Sequence, residues 1–308
     1  MPAISVIGLG AMGASYAAKL AGVPDARLRV IASGQRAARL LSQGVTVNGH
    51  HLGFPVVAPD DPVEPADLLV VAVKYTGFAE ALRQIRHHVG PGTVIMSLLN
   101  GITSETELAA AYPQAEVLYS ITVGVDAVRR GQEVTYSSLG RIEFGQAHNQ
   151  APYSPAVQWL AGVFDSCGLT YAIAPDMIRQ LWWKFLINDG VNQVTALLKA
   201  PYAVVQQPDS PARATMTAAQ REVVAVAQAK GIALTEADIT AWLDVLAGLG
   251  PGQYTSMAQD ALAGRPTETD IFGGAMRRMG AETGLPTPVN TVLNQLLLAQ
   301  AGLAPTPA

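Results

Sequence analysis

In the first half of the chain the apolar residues fall in short unbroken runs: Ile4–Ile7, Leu28–Ile31, Leu68–Val73, Val94–Leu98 and Val117–Val123. Runs of this length, rich in Val, Ile and Leu, predict strands covered on both faces, as in a parallel sheet. Between them, Met12–Leu20, Arg36–Gln43 and Phe78–Val89 are amphipathic at helical spacing. The alternation predicts an α/β domain with a doubly wound, mostly parallel sheet. Near Arg130–Gly131 the pattern changes to a predicted hairpin, with Glu133–Ser137 and Arg141–Phe144 flanking Ser138–Gly140. A helix at Pro155–Ser166 and a strand at Leu169–Ile173 close this half. From Pro175 onward β signals nearly vanish. Met177–Leu198, Pro211–Lys230, Glu236–Leu246 and Asp270–Glu282 read as helices, with breaks at Pro201, Pro208, Gly231, Gly248–Gly252 and Pro286. Two domains are predicted, residues 1–174 and an all-helical 175–308.

Composition supports this reading and removes several function classes. A chain of 308 residues with 49% hydrophobic and 14% charged residues can bury a large core. A net charge of −4 gives no electrostatic basis for nucleic-acid binding. The single cysteine, Cys167, excludes an internal disulfide framework and a cysteine-based zinc site. His50, His51, His87, His88 and His148 lack the i, i+4 spacing of helical metal ligands, so no metal site is expected. The chain passes from Met1 straight into Ile4–Ile7 without a basic, then apolar, leader. Residues 284–308 carry no charge but hold Pro286, Pro288, Pro305 and Pro307, a poor membrane span. The expectation is a cytoplasmic protein with no membrane contact.

Gly8-Leu9-Gly10-Ala11-Met12-Gly13 follows the first predicted strand and opens the first predicted helix. In that context a GxGxxG is a dinucleotide-binding signature of the Rossmann type. Gly8 permits the tight turn, Gly10 lets the backbone approach the pyrophosphate, and Gly13 lets helix and strand pack closely. The helix N-terminus offers N–H groups and the positive end of a dipole. The second strand continues Ala32-Ser33-Gly34-Gln35-Arg36, with no acid for a ribose 2′-hydroxyl. Ser33 and Arg36, with Arg39 one helical step away, suit a 2′-phosphate, which favours NADP(H). A solvated helix face is the alternative for Arg36 and Arg39, and NAD(H) stays open. Lys74 and Asn100-Gly101 follow the third and fourth runs, where ligands bind in open α/β sheets. Lys74 would set a positive charge beside an anionic cofactor or substrate. Asn100 would bond the nicotinamide ribose or the substrate. A plain loop or cap role is the alternative for both.

In the second half, Lys184, Asn188 and Asn192 stand at i, i+4 and i+8 within Trp182-Trp183-Lys184-Phe185-Leu186-Ile187-Asn188 and its continuation. On a helix they share a face. Polar groups in so apolar a segment need partners, and a polar substrate supplies them. Desolvation of Lys184 would lower its pKa toward that of a general acid. A polar stripe facing water is the competing explanation. Thr267 and Asp270 form an imperfect capping box, which would make Glu268 a first-turn acid. Ser256 reads as an N-cap.

The motifs in order resemble those of the ketopantoate reductase family over nearly the whole chain. They are Gly8–Gly13, Val73-Lys74, Asn100-Gly101, the Lys184, Asn188, Asn192 helix, Ser256–Asp260, Glu268–Asp270 and Pro286–Thr291. The resemblance implies a Rossmann domain followed by a helical domain similar to that of 6-phosphogluconate dehydrogenase. It implies NADPH-dependent reduction of a small 2-keto acid, ketopantoate, to pantoate, on the route to pantothenate and coenzyme A. It gives Lys184 as general acid, Glu268 as the carboxylate on the substrate hydroxyl, and Asn100, Asn188, Asn192 and Ser256 as substrate contacts. Lys74 falls beside the cofactor. Many members end the second strand with Arg where this chain has Ser33, which bears on the NADP preference. Two alternatives stand beside this one. One is an NAD(P)-dependent D-2-hydroxyacid dehydrogenase for another branched or aromatic 2-keto acid; the other is a non-catalytic NADP-binding sensor, disfavoured by the presence of Lys184 and Glu268. Apolar helical faces in the second domain are compatible with a homodimer.

Overall fold

Ala3–Ile7 (β1) is buried at every position, as an apolar run must be when helices cover both faces of a parallel sheet. In the computed structural model, which describes residues 1–303, the strands that follow are Arg27–Ile31 (β2), Val45–Val47 (β3), His50–Leu52 (β4), Val56–Val57 (β5), Leu68–Val71 (β6), Val94–Ser97 (β7), Glu116–Val125 (β8), Val128–Arg130 (β9), Glu133–Thr135 (β10), Leu139–Gly145 (β11) and Tyr171–Ile173 (β12). Helices Ala11–Leu20 (α1), Gly34–Gln43 (α2), Phe78–Gln84 (α3), Ser104–Ala111 (α4) and Pro155–Cys167 (α5) are interleaved with them. Eight strands form one sheet in the order β12-β11-β8-β7-β6-β1-β2-β5. All neighbours from β5 to β8 run parallel, and β11 is antiparallel to β8. The order reverses at β1, with β2 on one side and β6 on the other. This is the doubly wound Rossmann-type architecture that the alternating runs predict.

A second sheet, in the order β4-β3-β10-β9, was not visible in the periodicity. Its strands are three residues long, too short to show alternation. It also corrects the expected hairpin. Residues 133–135 do not pair with residues 141–144. β10 pairs antiparallel with β9 across Gly131-Gln132 and parallel with β3, whereas β11 joins β8 in the large sheet. Gly131, at φ +61°, makes the turn. Gly140 is not a turn residue of that hairpin but a point of close approach: a Cβ there would lie 1.8 Å from the Val123 carbonyl oxygen. The helix expected over Phe78–Val89 stops at Gln84, and the His88 carbonyl accepts the Ala66 N–H (2.8 Å) rather than a helical one.

One compact unit runs from Met1 to Ile178 and a second begins at Arg179. The division falls in the first turn of Met177–Leu198 (α6). The second unit is helical throughout its described residues: Ala203–Gln206 (α7), Pro211–Ala229 (α8), Glu236–Ala247 (α9), Ser256–Leu262 (α10), Gly273–Thr283 (α11) and Pro288–Leu303 (α12). The pattern did not reveal α10 or α12. In α12 the absence of charge removes the polar face that marks an amphipathic helix, and its start is set by Pro288 at the first helical position. Pro305 and Pro307 lie outside the described residues. The capping box expected at Thr267 is absent: Thr267 Oγ1 bonds Thr269 Oγ1 (2.8 Å), Thr269–Ile271 is a 3-10 turn, and Asp270 pairs with Arg278 (2.9 Å). The N-cap of α10 is Thr255, which accepts the Ala258 N–H (3.1 Å), and Ser256 is the first helical residue. Among the described residues no helix is long and apolar enough to cross a membrane.

Candidate active site

The carboxyl ends of β7, β6, β1 and β2 lie side by side, and the sequence motifs of the first unit follow them. The three glycines of the first loop differ in what they accommodate. Gly8 has φ +92°, and a Cβ there would meet the Ala72 carbonyl oxygen at 2.6 Å. A Cβ on Gly13 would stand 1.8 Å from the Gly8 carbonyl oxygen and 2.9 Å from Ala72 Cβ. Both glycines are therefore required by the protein itself. Gly10 is exposed, has an ordinary φ of −70°, and a Cβ there would meet no atom within 4 Å. The fold does not need this glycine, whereas a ligand that approaches the backbone does. Gly10 is also the N-cap of α1, and no side chain caps that helix. Leu9 is buried beneath the loop and Ala11 and Met12 are half-buried. The orphan N–H groups of the first turn fit the pyrophosphate of a dinucleotide.

Ser33 is the N-cap of α2, its hydroxyl makes no capping bond, and both it and Arg36 are exposed. Lys74 is exposed and precedes a 3-10 turn, Tyr75–Gly77. Asn100 is half-buried at the end of β7, before Gly101 at φ +95°. A polar network sets this loop. Ser97 Oγ accepts the Leu99 N–H (3.2 Å) and pairs with Ser104 Oγ (2.8 Å), which donates to the buried Glu105 (2.9 Å). Ser120 holds the Ser97 carbonyl from β8. One residue that no motif marked also reaches this region: Arg129 of β9, whose guanidinium bonds the Leu9 carbonyl in the middle of the glycine loop.

In the second unit α6 carries the other constellation. The helix is buried over most of its surface, including Leu181, Trp182, Phe185–Ile187 and Asp189–Ala196. Lys184 and Asn188 are half-buried, and Asn192 is only 4% exposed. The stripe is therefore not a solvated face. The Asn192 side-chain amide makes no hydrogen bond to protein among the described residues, so it holds bonding capacity for a ligand. Glycines set how closely the neighbours approach. A Cβ at Gly190 would meet Gln220 Cγ of α8 at 2.6 Å, and one at Gly273 would meet Gln193 Oε1 at 2.4 Å.

A buried polar network fixes α6 from behind. Gln193 Nε2 donates to Asp189 Oδ1 (2.9 Å) and to Asn290 Oδ1 of α12 (2.8 Å). Asn290 Nδ2 donates to Glu222 Oε2 of α8 (2.9 Å), and Glu222 also accepts the N–H groups of Val289 (2.7 Å) and Asn290 (3.0 Å), satisfying the start of α12. Complete burial pushes the Asp189 carboxyl well above the usual carboxylate range; the nearby Glu222 adds to this and the Asn290 amide partly offsets it. Asp189 Oδ2 has no hydrogen-bond partner among the described residues.

Glu268 is half-buried and precedes the 3-10 turn. Its segment is tied down by Asn294 Nδ2 to the Thr269 carbonyl (3.4 Å) and by Phe272, which stacks on Phe185 with centroids 6.1 Å apart. Phe185 is the residue after Lys184. Ser256 is exposed, and its neighbour Thr255 bonds Thr195 of α6 (2.8 Å). The segments that bear Glu268 and Ser256 are thus each braced against α6, the helix that carries the Lys184 stripe. Sequence reasoning missed the braces Gln193, Thr195, Gly273 and Asn290 as such, because each acts across helices. Among the described residues there is no group of three or more His, Cys, Asp or Glu suited to a metal ion.

An open glycine loop on a doubly wound sheet, followed by a helical unit with a half-buried lysine and amides, defines an NAD(P)-binding oxidoreductase acting on a CH–OH group. Known proteins narrow the class. The models of ketopantoate reductase PanE/ApbA match residues 4–149, and residues 176–301 for its C-terminal part. The chain belongs to the ketopantoate reductase family. The 2-dehydropantoate 2-reductase of Caulobacter vibrioides is 29% identical over 306 residues, 98% of this chain and 100% of that protein. The crystal structure of 2-dehydropantoate 2-reductase from Geobacter metallireducens GS-15 matches with a TM-score of 0.85 at 25% identity, over 96% of this chain and 99% of that one. The same fold is seen in the ternary structure of D-mandelate dehydrogenase with NADH and anilino(oxo)acetate, with a TM-score of 0.86 at 22% identity over 97% and 98% of the two chains.

Proposed function

We propose that the protein is an NADPH-dependent 2-dehydropantoate 2-reductase, reducing ketopantoate to pantoate. The reading is carried by α6, where the Asn192 amide is nearly buried yet bonds no protein group among the described residues, and stands in line with Lys184 and Asn188. A helix that keeps an unbonded amide such as that of Asn192 in an apolar setting has bonding capacity for a polar ligand. NADPH, when bound by Gly8–Gly13, Ser33, Arg36, Lys74 and Asn100, supplies the hydride.

The chain's own residues do the rest. Reduction of a ketone builds negative charge on its oxygen. The Lys184 ammonium stabilises that charge and delivers the proton to the oxygen. Asn100, Asn188, Asn192 and Ser256 hold the substrate's carboxylate and hydroxyl groups. Glu268 accepts a hydrogen bond from the substrate hydroxyl and orients it. Positioning of this kind lowers the entropic part of the barrier. One observation favours a second reading, an NADH-dependent reductase of another 2-keto acid: the side chain at the end of β2 is the neutral Ser33.

The test is nicotinamide oxidation by the purified protein with ketopantoate, comparing NADPH with NADH. Turnover that prefers NADPH supports the proposal. Turnover only with NADH, or only with 2-ketoisovalerate or phenylglyoxylate, moves the protein to the second reading. Tight NADPH binding with no 2-keto acid reduced would make it a sensor.

A further inference from the structure

The small sheet brings Arg129 to the glycine loop, and the surroundings of this side chain are unusual. Its three nitrogens are all bonded, Nη1 to the Leu9 carbonyl, Nε to the Gly131 carbonyl (2.8 Å) and Nη2 to Gln132 Oε1 (2.7 Å). Every acceptor is neutral. Gln132 is held in turn by Gln43 at the end of α2 (3.1 Å). That bond ties the turn after Arg129 to the helix that carries Arg36 and Arg39; partial burial lowers the proton affinity of Arg129, and the positive charges of Arg39 and Arg36 add to this. None of the three arginines is paired with a carboxylate among the described residues. The fold therefore gathers three positive charges and leaves them uncompensated on the β2 side of the glycine loop. Such an arrangement costs repulsion unless an anion joins it.

The position specifies the anion. In this architecture the pyrophosphate lies on the N-terminus of α1, and the adenosine ribose lies toward the end of β2. Ser33, with no acid after it, leaves the ribose 2′-position without the carboxylate that would bond a free hydroxyl and repel a phosphate. We propose that Arg129, together with Arg36 and Arg39, forms the subsite for the 2′-phosphomonoester of NADP, and that Arg129 fixes its position. Arg129 is the only one of the three that the backbone of the loop holds in place, so it meets the phosphate already oriented. Arg36 and Arg39 are exposed and supply charge from α2. The subsite rests on reading the glycine loop as a dinucleotide site, but not on the identity of the keto acid.

Equilibrium binding of adenosine 2′,5′-bisphosphate and of 5′-AMP to the full chain tests this without catalysis. The wild type should bind the bisphosphate more tightly. Arg129→Gln should weaken the bisphosphate about tenfold or more, the effect of losing one hydrogen bond to a charged group, and leave 5′-AMP unchanged. Arg129→Lys keeps the charge without the fork and should fall between the two, which provides a reading if the Gln variant melts early. Equal weakening of both ligands would overturn the proposal, because Arg129 would then only shape the loop through Leu9. An unchanged bisphosphate affinity, or a wild type indifferent to the 2′-phosphate, would overturn it as well. Failure to reduce ketopantoate with the bisphosphate preference intact would sink the proposed activity and leave the subsite standing.

Discussion

Gly10→Ala separates what the fold requires from what the cofactor requires. The backbone at Gly10 (φ −70°, ψ −164°) suits alanine, and the new methyl would meet no protein atom within 4 Å. The substitution should therefore stabilise the unliganded protein by about 0.4–1 kcal/mol, through the smaller entropy of the unfolded chain. On the proposed reading of the glycine loop, the same methyl would stand where the pyrophosphate approaches the backbone most closely. Displacing a phosphate from one N–H loses about 1.5–3 kcal/mol, and loss of two such bonds weakens binding by on the order of 100-fold or more. The assay is thermal unfolding of the N-terminal unit with and without NADPH. At about 100 times Kd, NADPH should stabilise the wild type by about 2.7 kcal/mol. For a unit ending at Ile178 that is roughly 5–11 °C. At the same ligand concentration, a variant bound about 100-fold more weakly retains about 0.4 kcal/mol. Gly13→Ala is the opposite control, since its Cβ would stand 1.8 Å from the Gly8 carbonyl oxygen, and it should lower the melting temperature with no ligand present. A Gly10→Ala protein that keeps the full NADPH shift would refute the reasoning, because the phosphates would then not pass that residue.

Further outcomes follow from the second unit and from α2. Lys184→Ala should lower kcat by roughly 10²–10⁴, measured under saturating substrate, and a near-normal kcat would remove Lys184 from the proton-donor role. Asn192→Leu, at a position 4% exposed, should raise KM for the keto acid while leaving NADPH binding intact; an unchanged KM would mean that the amide does not meet substrate. Arg36→Ala should weaken NADPH more than NADH, and equal losses would show that it does not read the 2′-phosphate. Asp189 has a raised folded-state pKa, so its contribution to stability is complete below the unfolded value near 3.9 and is lost as pH rises from there through the folded value. The loss runs at up to about 1.4 kcal/mol per pH unit over that interval. Asp189→Asn should flatten that part of the pH–stability curve seen in urea melts, and an unaltered curve would place the titration elsewhere.

The glycine loop was readable in the sequence because its requirements are local: Gly8 and Gly13 are demanded by atoms a few residues away or on the next strand. The large sheet was readable because buried parallel strands leave unbroken apolar runs. The small sheet was not, because Thr46 meets Glu133 only through the fold and neither segment is long enough to alternate. Arg129 was unreadable for the same reason. Its neighbour on the loop, Leu9, is fixed by tertiary structure rather than by spacing. The stripe on α6 could be read from its i, i+4 pattern, but its braces could not, since Gln193 with Asn290 and Thr195 with Thr255 join different helices. The capping box at Thr267 failed instructively. The local pattern was present, but Phe272 on Phe185 and Asn294 on the Thr269 carbonyl hold that segment in a 3-10 turn instead.

The parallel pairing of β10 with β3 has a consequence for how the protein is made. The segment bearing the glycine loop leaves the ribosome among the first residues, yet β9, the strand that delivers Arg129 to it, is joined to β3 only through β10, which closes after residue 135 is available. Bringing two such distant segments together carries a loop-closure cost that the nascent chain meets late. A shortened chain ending before β9 would retain β1, α1 and the helix N-terminus but not the guanidinium that steadies Leu9. Affinity for the dinucleotide should then appear as a late event of synthesis, well after the motif that announces it has been translated.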